Sequence, residues 1–277
     1  MSTTQGAAKS RRGTPGKGVL GLGRAFSRER GDFSWVYLWG APLRAMHWIA
    51  ALCILTLVVT GFYIGRPYFM TGGEASAHYL MGWVRLAHFT AAAVLVMTGI
   101  VRLYWLFAGN QFERLPALLP ITPRNFRNLC RTGVAYLTFR PEKQPNFVGH
   151  TPLQQYSYTG IYLLAATMVV TGFSLYGQSN PEGLIYRTFA WVPYLLGGLQ
   201  HVRLLHHVLT WGFILFIIMH VYFALRSDYV ERAGGVSSII TGGRYISLNE
   251  EYEDFDAGKV PAHPWPTQEL PVPTDKT

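Results

Sequence analysis

Leu204–Tyr222 reads LLHHVLTWGFILFIIMHVY, and its composition decides the architecture. The segment is apolar nearly throughout, yet it carries His206 and His207 at one end and His220 at the other. About 20 apolar residues in a helix cross the hydrocarbon core of a bilayer. A histidine inside such a span is costly and faces the interior of a bundle rather than lipid. At about 100° and 1.5 Å per residue, the step from His206 to His220 brings both rings to within about 40° of one face, roughly 21 Å apart along the axis. His207 is turned well away from that face, and His201 is expected to lie before the helix proper.

Three further stretches have the same character, so four spans are expected, at about 45–65, 82–108, 155–177 and 203–226. Only 14% of the 277 residues are charged, against roughly a quarter in soluble domains, which agrees with a membrane location. The fold class that follows is an all-α membrane protein, a single four-transmembrane-helix bundle. Its expected limits are 36–245, between a basic, disordered tail at 1–35 and a Pro-rich tail at 246–277. The Arg11-Arg12 pair is not followed by an apolar run at the distance a secretion signal requires, so the first tail is read as uncleaved. Cys53 and Cys130 read as free thiols, and no C-x-x-C-H motif offers covalent haem attachment.

Lys and Arg are unevenly placed. Eight precede or open the first span, six lie in 109–154 (Arg114, Arg124, Arg127, Arg131, Arg140, Lys143), and five lie from Arg226 onward. The other two connections hold only Arg66 and Arg187, with Arg85 and Arg203 at helix starts. The positive-inside rule therefore places both termini in the cytoplasm and the 66–81 and 178–202 loops outside. The same asymmetry accounts for the net charge of +9 without any nucleic acid. The 178–202 loop, broken by Pro193 and Gly197-Gly198, is too short to span; it reads as an interfacial segment or a docking surface for an external partner.

This topology sorts the histidines by depth. His47 opens the first, outward-running span, and His88 opens the second, inward-running one. The fourth span also runs inward. His88 and His206 thus share the outer level, and His47 and His220 the inner level. Histidine pairs on facing helices suit low-spin b-type haem, whose iron takes axial ligands from the protein. The spacing predicts two b haems. Arg44, Arg85 and Arg203 each precede one of these histidines by three residues, on the same helix face, where a guanidinium suits a haem propionate. Arg102, fourteen residues after His88, falls on the same face at the inner depth and is a candidate partner for a propionate or a quinone carbonyl. VVTGF occurs at 58–62 and again at 169–173; of a remnant of duplication and common membrane-helix vocabulary, the second reading is favoured.

YLWGAPLRAMHWIAALCILTLVVTGFYIGRPY, MGWVRLAHFTAA, GHTPLQQ and LHHVLTWGFILFIIMHVYFALRSD, in that order, resemble the b-type cytochrome subunit of membrane-bound nickel–iron hydrogenases. The resemblance covers about Val36 to Gly243; the wider group includes the cytochrome b subunit of respiratory formate dehydrogenase. It implies a four-helix bundle with two haems on His47, His88, His206 and His220, the set already reached by spacing. It implies electrons from an iron–sulfur small subunit on the periplasmic side, a nickel–iron site in a separate large subunit, and delivery to quinone near the cytoplasmic face of the inner membrane. His150, in GHTPLQQ at the cytoplasmic surface, is a candidate for proton delivery to that quinone. The chain itself holds no cysteine set for nickel or iron–sulfur, no Gly-rich phosphate loop and no paired carboxylates in a span. The alternatives are the same role beside another dehydrogenase, such as formate dehydrogenase, and a haem-free anchor or proton relay.

Overall fold

The computed structural model describes residues 33–70, 72–74, 78–119, 123–138, 147–231, 234–247 and 252–254. In chain order the elements are β1 (Phe33–Tyr37), α1 (Ala41–Gly65), α2 (Leu80–Ala108), α3 (Leu115–Leu118), α4 (Pro123–Leu137), α5 (Pro152–Gly177), α6 (Leu184–Phe189), α7 (Trp191–Leu196), α8 (Leu199–Glu231), α9 (Gly235–Thr241) and β2 (Gly243–Ser247). Four of them, α1, α2, α5 and α8, are long and apolar enough to cross a membrane. Hydrocarbon offers no partner to a free backbone N–H or C=O, so each crossing segment satisfies itself as helix.

The first three spans end where hydropathy places them, at Gly65, Ala108 and Gly177. They begin two to four residues earlier than expected, at Ala41, Leu80 and Pro152. The starts of α1 and α5 are set by capping rather than by apolarity. Pro42 and Pro152 occupy the first turns, and Thr151 and Gln154 form a reciprocal capping box. His201 does not precede α8, as expected, but lies in its first turn. The reason is the pair Gly197 (φ 78°) and Gly198 (φ 124°), which ends α7 in left-handed backbone and lets α8 restart at once. A His201 Nδ1–Gly197 O contact of 3.1 Å closes that corner.

The spans pack as two hairpins, α1 with α2 and α5 with α8, and α1 also meets α8. Leu52, Leu55, Val59, Leu163, Leu215 and Ile218 are exposed on the bundle's surface, which suits lipid. The 178–198 connection forms the short helices α6 and α7, with Trp191 and Tyr194 exposed, as interfacial aromatic residues are.

At the other end sits a small cap. β1 and β2 pair antiparallel, from Phe33↔Ser247 to Tyr37↔Gly243, and Val36, Leu38, Phe112, Val148 and Ile246 form a buried apolar cluster beside them. The expected tail boundaries at 35 and 246 therefore shift: 33–35 and 246–247 are strand, paired with partners more than 200 residues away. Asp254 is also docked, accepting hydrogen bonds of 2.7 Å from the Val148 and Gly149 amides. The rest of the expected disordered tail, 1–32, and of the expected Pro-rich tail, 248–251 and 255–277, lies outside the described residues.

Glu113 ties the cap to the bundle. Only 1% exposed, its carboxylate accepts from the Gly40 amide at the head of α1, from Trp105 Nε1 (2.9 Å) near the end of α2, and from the Asn110 amide (3.2 Å). Gly109 permits the tight turn, because a Cβ there would fall 2.8 Å from Trp105 O and 2.9 Å from Glu113 Cβ. Glu113→Ala is expected to strand three donors at once and cost about 3 kcal/mol or more, since each bond to a charged acceptor contributes roughly 1.5–3 kcal/mol. Glu113→Gln, which keeps an acceptor oxygen, should lose less. Thermal unfolding in detergent, followed by circular dichroism, reads the order wild type, Gln, Ala; equal midpoints would remove Glu113 from this role.

Candidate functional site

Near the cap, His47 lies in the second turn of α1, and His220 faces it from α8. Their ring centroids are 6.3 Å apart and their planes 48° from parallel. Two imidazole–metal bonds of about 2 Å, plus the half-width of each ring, span roughly 6 Å, so the pair has the reach to hold one metal ion between its rings. Phe216, one turn before His220, stacks on it at 5.5 Å, and Trp48 stands edge-on to His47 at 5.1 Å. His47 Nδ1 is buried without a hydrogen-bond partner among the described residues. Two imidazoles provide two donors on opposite sides, which fits an iron whose other four positions belong to a porphyrin.

Toward the opposite end, His88 on α2 and His206 on α8 lie within electrostatic range of each other. Each ring rests on a neighbouring helix. His88 Nδ1 is 2.8 Å from Thr60 Oγ1 on α1, and His206 Nδ1 is 2.9 Å from Thr171 Oγ1 on α5. Each ring also lies over a glycine: a Cβ on Gly61 would be 3.4 Å from His88 Cε1, and one on Gly172 would be 3.3 Å from His206 Cε1. The doublet is divided by helical phase. His206 turns toward α5, whereas His207 is exposed and stands edge-on to Phe62 of α1 at 5.4 Å, near Gly65. Thr60 and Thr171 did not come forward as site residues from the sequence. The signal that could have found them is the repeated VVTGF, which contains both Thr-Gly pairs.

The arginines separate into two groups. Arg85 and Arg203 are exposed at the starts of α2 and α8, with Arg203 Nη1 3.5 Å from Gln200 Oε1. Arg44 and Arg102 are turned toward the cap. Arg44 Nη1 donates to the Ile240 carbonyl, while its Nε is buried without a partner. Arg102 donates to the Glu113 carbonyl through both terminal nitrogens (3.2 Å) and to Tyr162 Oη through Nε (3.3 Å), joining α2 to α5. An apolar groove of about 410 Å³ runs beside this end between α1 and α2, lined by Met46, Ile49, Ala93, Val94, Met97, Thr98 and Val101.

His150 is buried beneath the cap, stacked on Trp39 (4.9 Å) and edge-on to Tyr158 (5.0 Å). Its pKa is pulled down to about 4, chiefly by burial and in smaller part by the Arg102 cation, with a hydrogen bond to the Phe112 backbone opposing the shift. The ring is therefore neutral at pH 7.

An apolar four-helix bundle with His47 against His220 at one level and His88 within electrostatic range of His206 at another has the layout of a membrane cytochrome of the b type. Residues 38–242 match the family model of prokaryotic cytochrome b561, and the chain belongs to that family. It is 38% identical over 210 residues to a Cupriavidus necator protein named "Probable Ni/Fe-hydrogenase B-type cytochrome subunit", covering 75% of this chain and 86% of the relative. An Azotobacter vinelandii protein of the same name is 37% identical, covering 76% and 88%. The Escherichia coli K12 "Probable Ni/Fe-hydrogenase 1 B-type cytochrome subunit" is 32% identical, covering 75% and 90%. The resemblance seen in the sequence is thus borne out over the bundle.

His150 makes the cap sensitive to acid. Its pKa is lowered on folding, so the unfolded chain takes up a proton first as pH falls through about 6.5. The stability that rests on the neutral ring is complete above that pH and is lost progressively toward pH 4, by about 3 kcal/mol. Asp254, whose carboxyl is raised by burial, works in the opposite direction at the acidic end of that window. Hydrogen-exchange protection factors at 148–151 should fall between pH 6.5 and 4 in the wild type. They should stay level or rise in His150→Gln; the same decline in both would exclude His150 as its source.

Proposed function

We propose that the chain is the di-haem cytochrome b subunit of a membrane-bound nickel–iron hydrogenase, carrying electrons from the periplasmic side of the inner membrane to quinone near the cytoplasmic face. The observation that carries this reading is the pair of histidine sets joined by α8, His88 with His206 and His47 with His220. A relay across a bilayer needs one carrier near each surface. Haem b, when bound, supplies reversible one-electron carriage at each set.

Everything else falls to residues of the chain. Arg85 and Arg203 are exposed at the outer end, where propionates meet water, and Arg44 keeps its Nε for an anionic partner at the inner end. The basic 109–154 loop and termini favour the cytoplasmic side for the cap. The electron donor is the iron–sulfur small subunit, with the nickel–iron large subunit behind it; the names of the relatives support this assignment. The α6–α7 connection lies at the His88 and His206 end of the bundle and is assigned to that contact. Quinone reduction is assigned to the cap end. There Arg102 offers a cation, the α1–α2 groove accommodates an apolar tail, and His150 stands beside Tyr158. A ring that is neutral at pH 7 passes protons through its two nitrogens and does not store them.

A dithionite-reduced minus oxidised spectrum of the purified chain, with pyridine haemochrome quantification, tests the proposal. About two b haems per chain are expected. His88→Ala and His206→Ala should remove the same component, and His47→Ala and His220→Ala the other. Absence of a b-type α-band, or losses that ignore these pairings, would sink the haem assignment. Co-purification with a formate dehydrogenase instead of a nickel-containing subunit would move the same relay to another complex.

A further inference from the structure

The two VVTGF segments lie on α1 and α5, the first helices of the two hairpins, and each meets a histidine on the second helix of its own hairpin. The two surroundings correspond, with the Met168 carbonyl as an additional partner on the His206 side. Thr60 Oγ1 donates to the Thr56 carbonyl at 2.6 Å, and Thr171 Oγ1 donates to the Thr167 carbonyl at 2.9 Å. A hydroxyl has one proton and two lone pairs. With the proton committed to its own helix, each hydroxyl meets its histidine as an acceptor. The proton of that contact therefore sits on His88 Nδ1 and on His206 Nδ1, which leaves each Nε2 with a free lone pair. The ring lies against the following glycine: a Cβ would be at ordinary contact with Cε1 at Gly61 and slightly tight at Gly172.

We propose that Thr60-Gly61 and Thr171-Gly172 are paired seats for the outer haem ligands, each fixing the tautomer and orientation of one imidazole and tuning the iron through it. This rests on the haem assignment made above for His88 and His206. Thr60 and Thr171 are positioning residues; they act through the histidines. A hydrogen bond from Nδ1–H raises the basicity of Nε2 and so favours ferric iron. His47 at the inner level has no such seat: its Nδ1 is buried without a hydrogen-bond partner among the described residues. Two haems with the same bis-histidine ligation are thereby given different surroundings by a five-residue repeat.

The test is a redox titration of the α-band in the full chain, resolved into its two components, with His88→Ala identifying the outer one. Thr60→Val and Thr171→Val are each expected to raise the outer midpoint potential or lower outer haem content, and to leave the inner component in place. Thr60→Ser and Thr171→Ser should restore wild-type behaviour. Thr167→Val is the control, because the Thr167 hydroxyl bonds only to Leu163 O of its own helix. If a Val variant does not accumulate, the corresponding Ala variant, which favours helix, is read in the same way. An unchanged outer component, equal movement of both components, or failure of Ser to restore would overturn the seats. A chain without any b-type band would instead overturn the haem reading itself.

Discussion

Hydrocarbon gives neither a peptide group nor an imidazole a hydrogen-bond partner, and the rest of the molecule follows from that constraint. The backbone meets it by forming four long helices. The histidines meet it by turning toward a neighbouring helix, where another ring or a hydroxyl takes the place of water. His47 and His220 do so through proximity, with aromatic rings from Phe216 and Trp48 around them. His88 and His206 do so through Thr60 and Thr171. Depth and partner are thus set together, since a histidine moved by a single position turns about 100° away, as His207 illustrates.

The cap solves a different problem. Helix ends expose amides and carbonyls that need partners once they are covered. Glu113 supplies one carboxylate to three donors at the junction of α1 and α2, and Asp254 supplies another to the segment leading into α5. Arg102 and His150 are drawn into the same region, so the groups assigned to quinone chemistry also hold the bundle closed. The pH sensitivity of the cap and the proton path proposed at His150 have a common origin in the burial of that ring.

The bundle was legible because its signals are local. Apolar length sets the spans, and Gly65, Ala108 and Gly177 end three of them where hydropathy does. The histidine levels were legible for a similar reason: helical phase and rise are arithmetic along one segment, and alternating crossings bring His47 to the level of His220. The cap was not legible. β1 finds β2 across more than 200 residues, and FSWVY and GRYIS are too short to announce a partner. Glu113 looked like one more charge in a basic loop until its three donors came together. VVTGF was visible twice, but nothing in one dimension says that a threonine on α1 reaches a histidine 28 residues later, or that one on α5 reaches a histidine 35 residues later.

By itself the sequence determined four helices, their order, the depth of each histidine and the face from which His206 and His220 emerge. These are consequences of rise, twist and hydropathy within single segments. Tertiary structure decided which neighbour each ring rests on, which histidine of the doublet meets α5, how Arg102 is engaged and how the chain ends are clasped. Those outcomes depend on which helices pack together and on a few close contacts between distant residues. Such contacts have no period and leave no pattern along the chain.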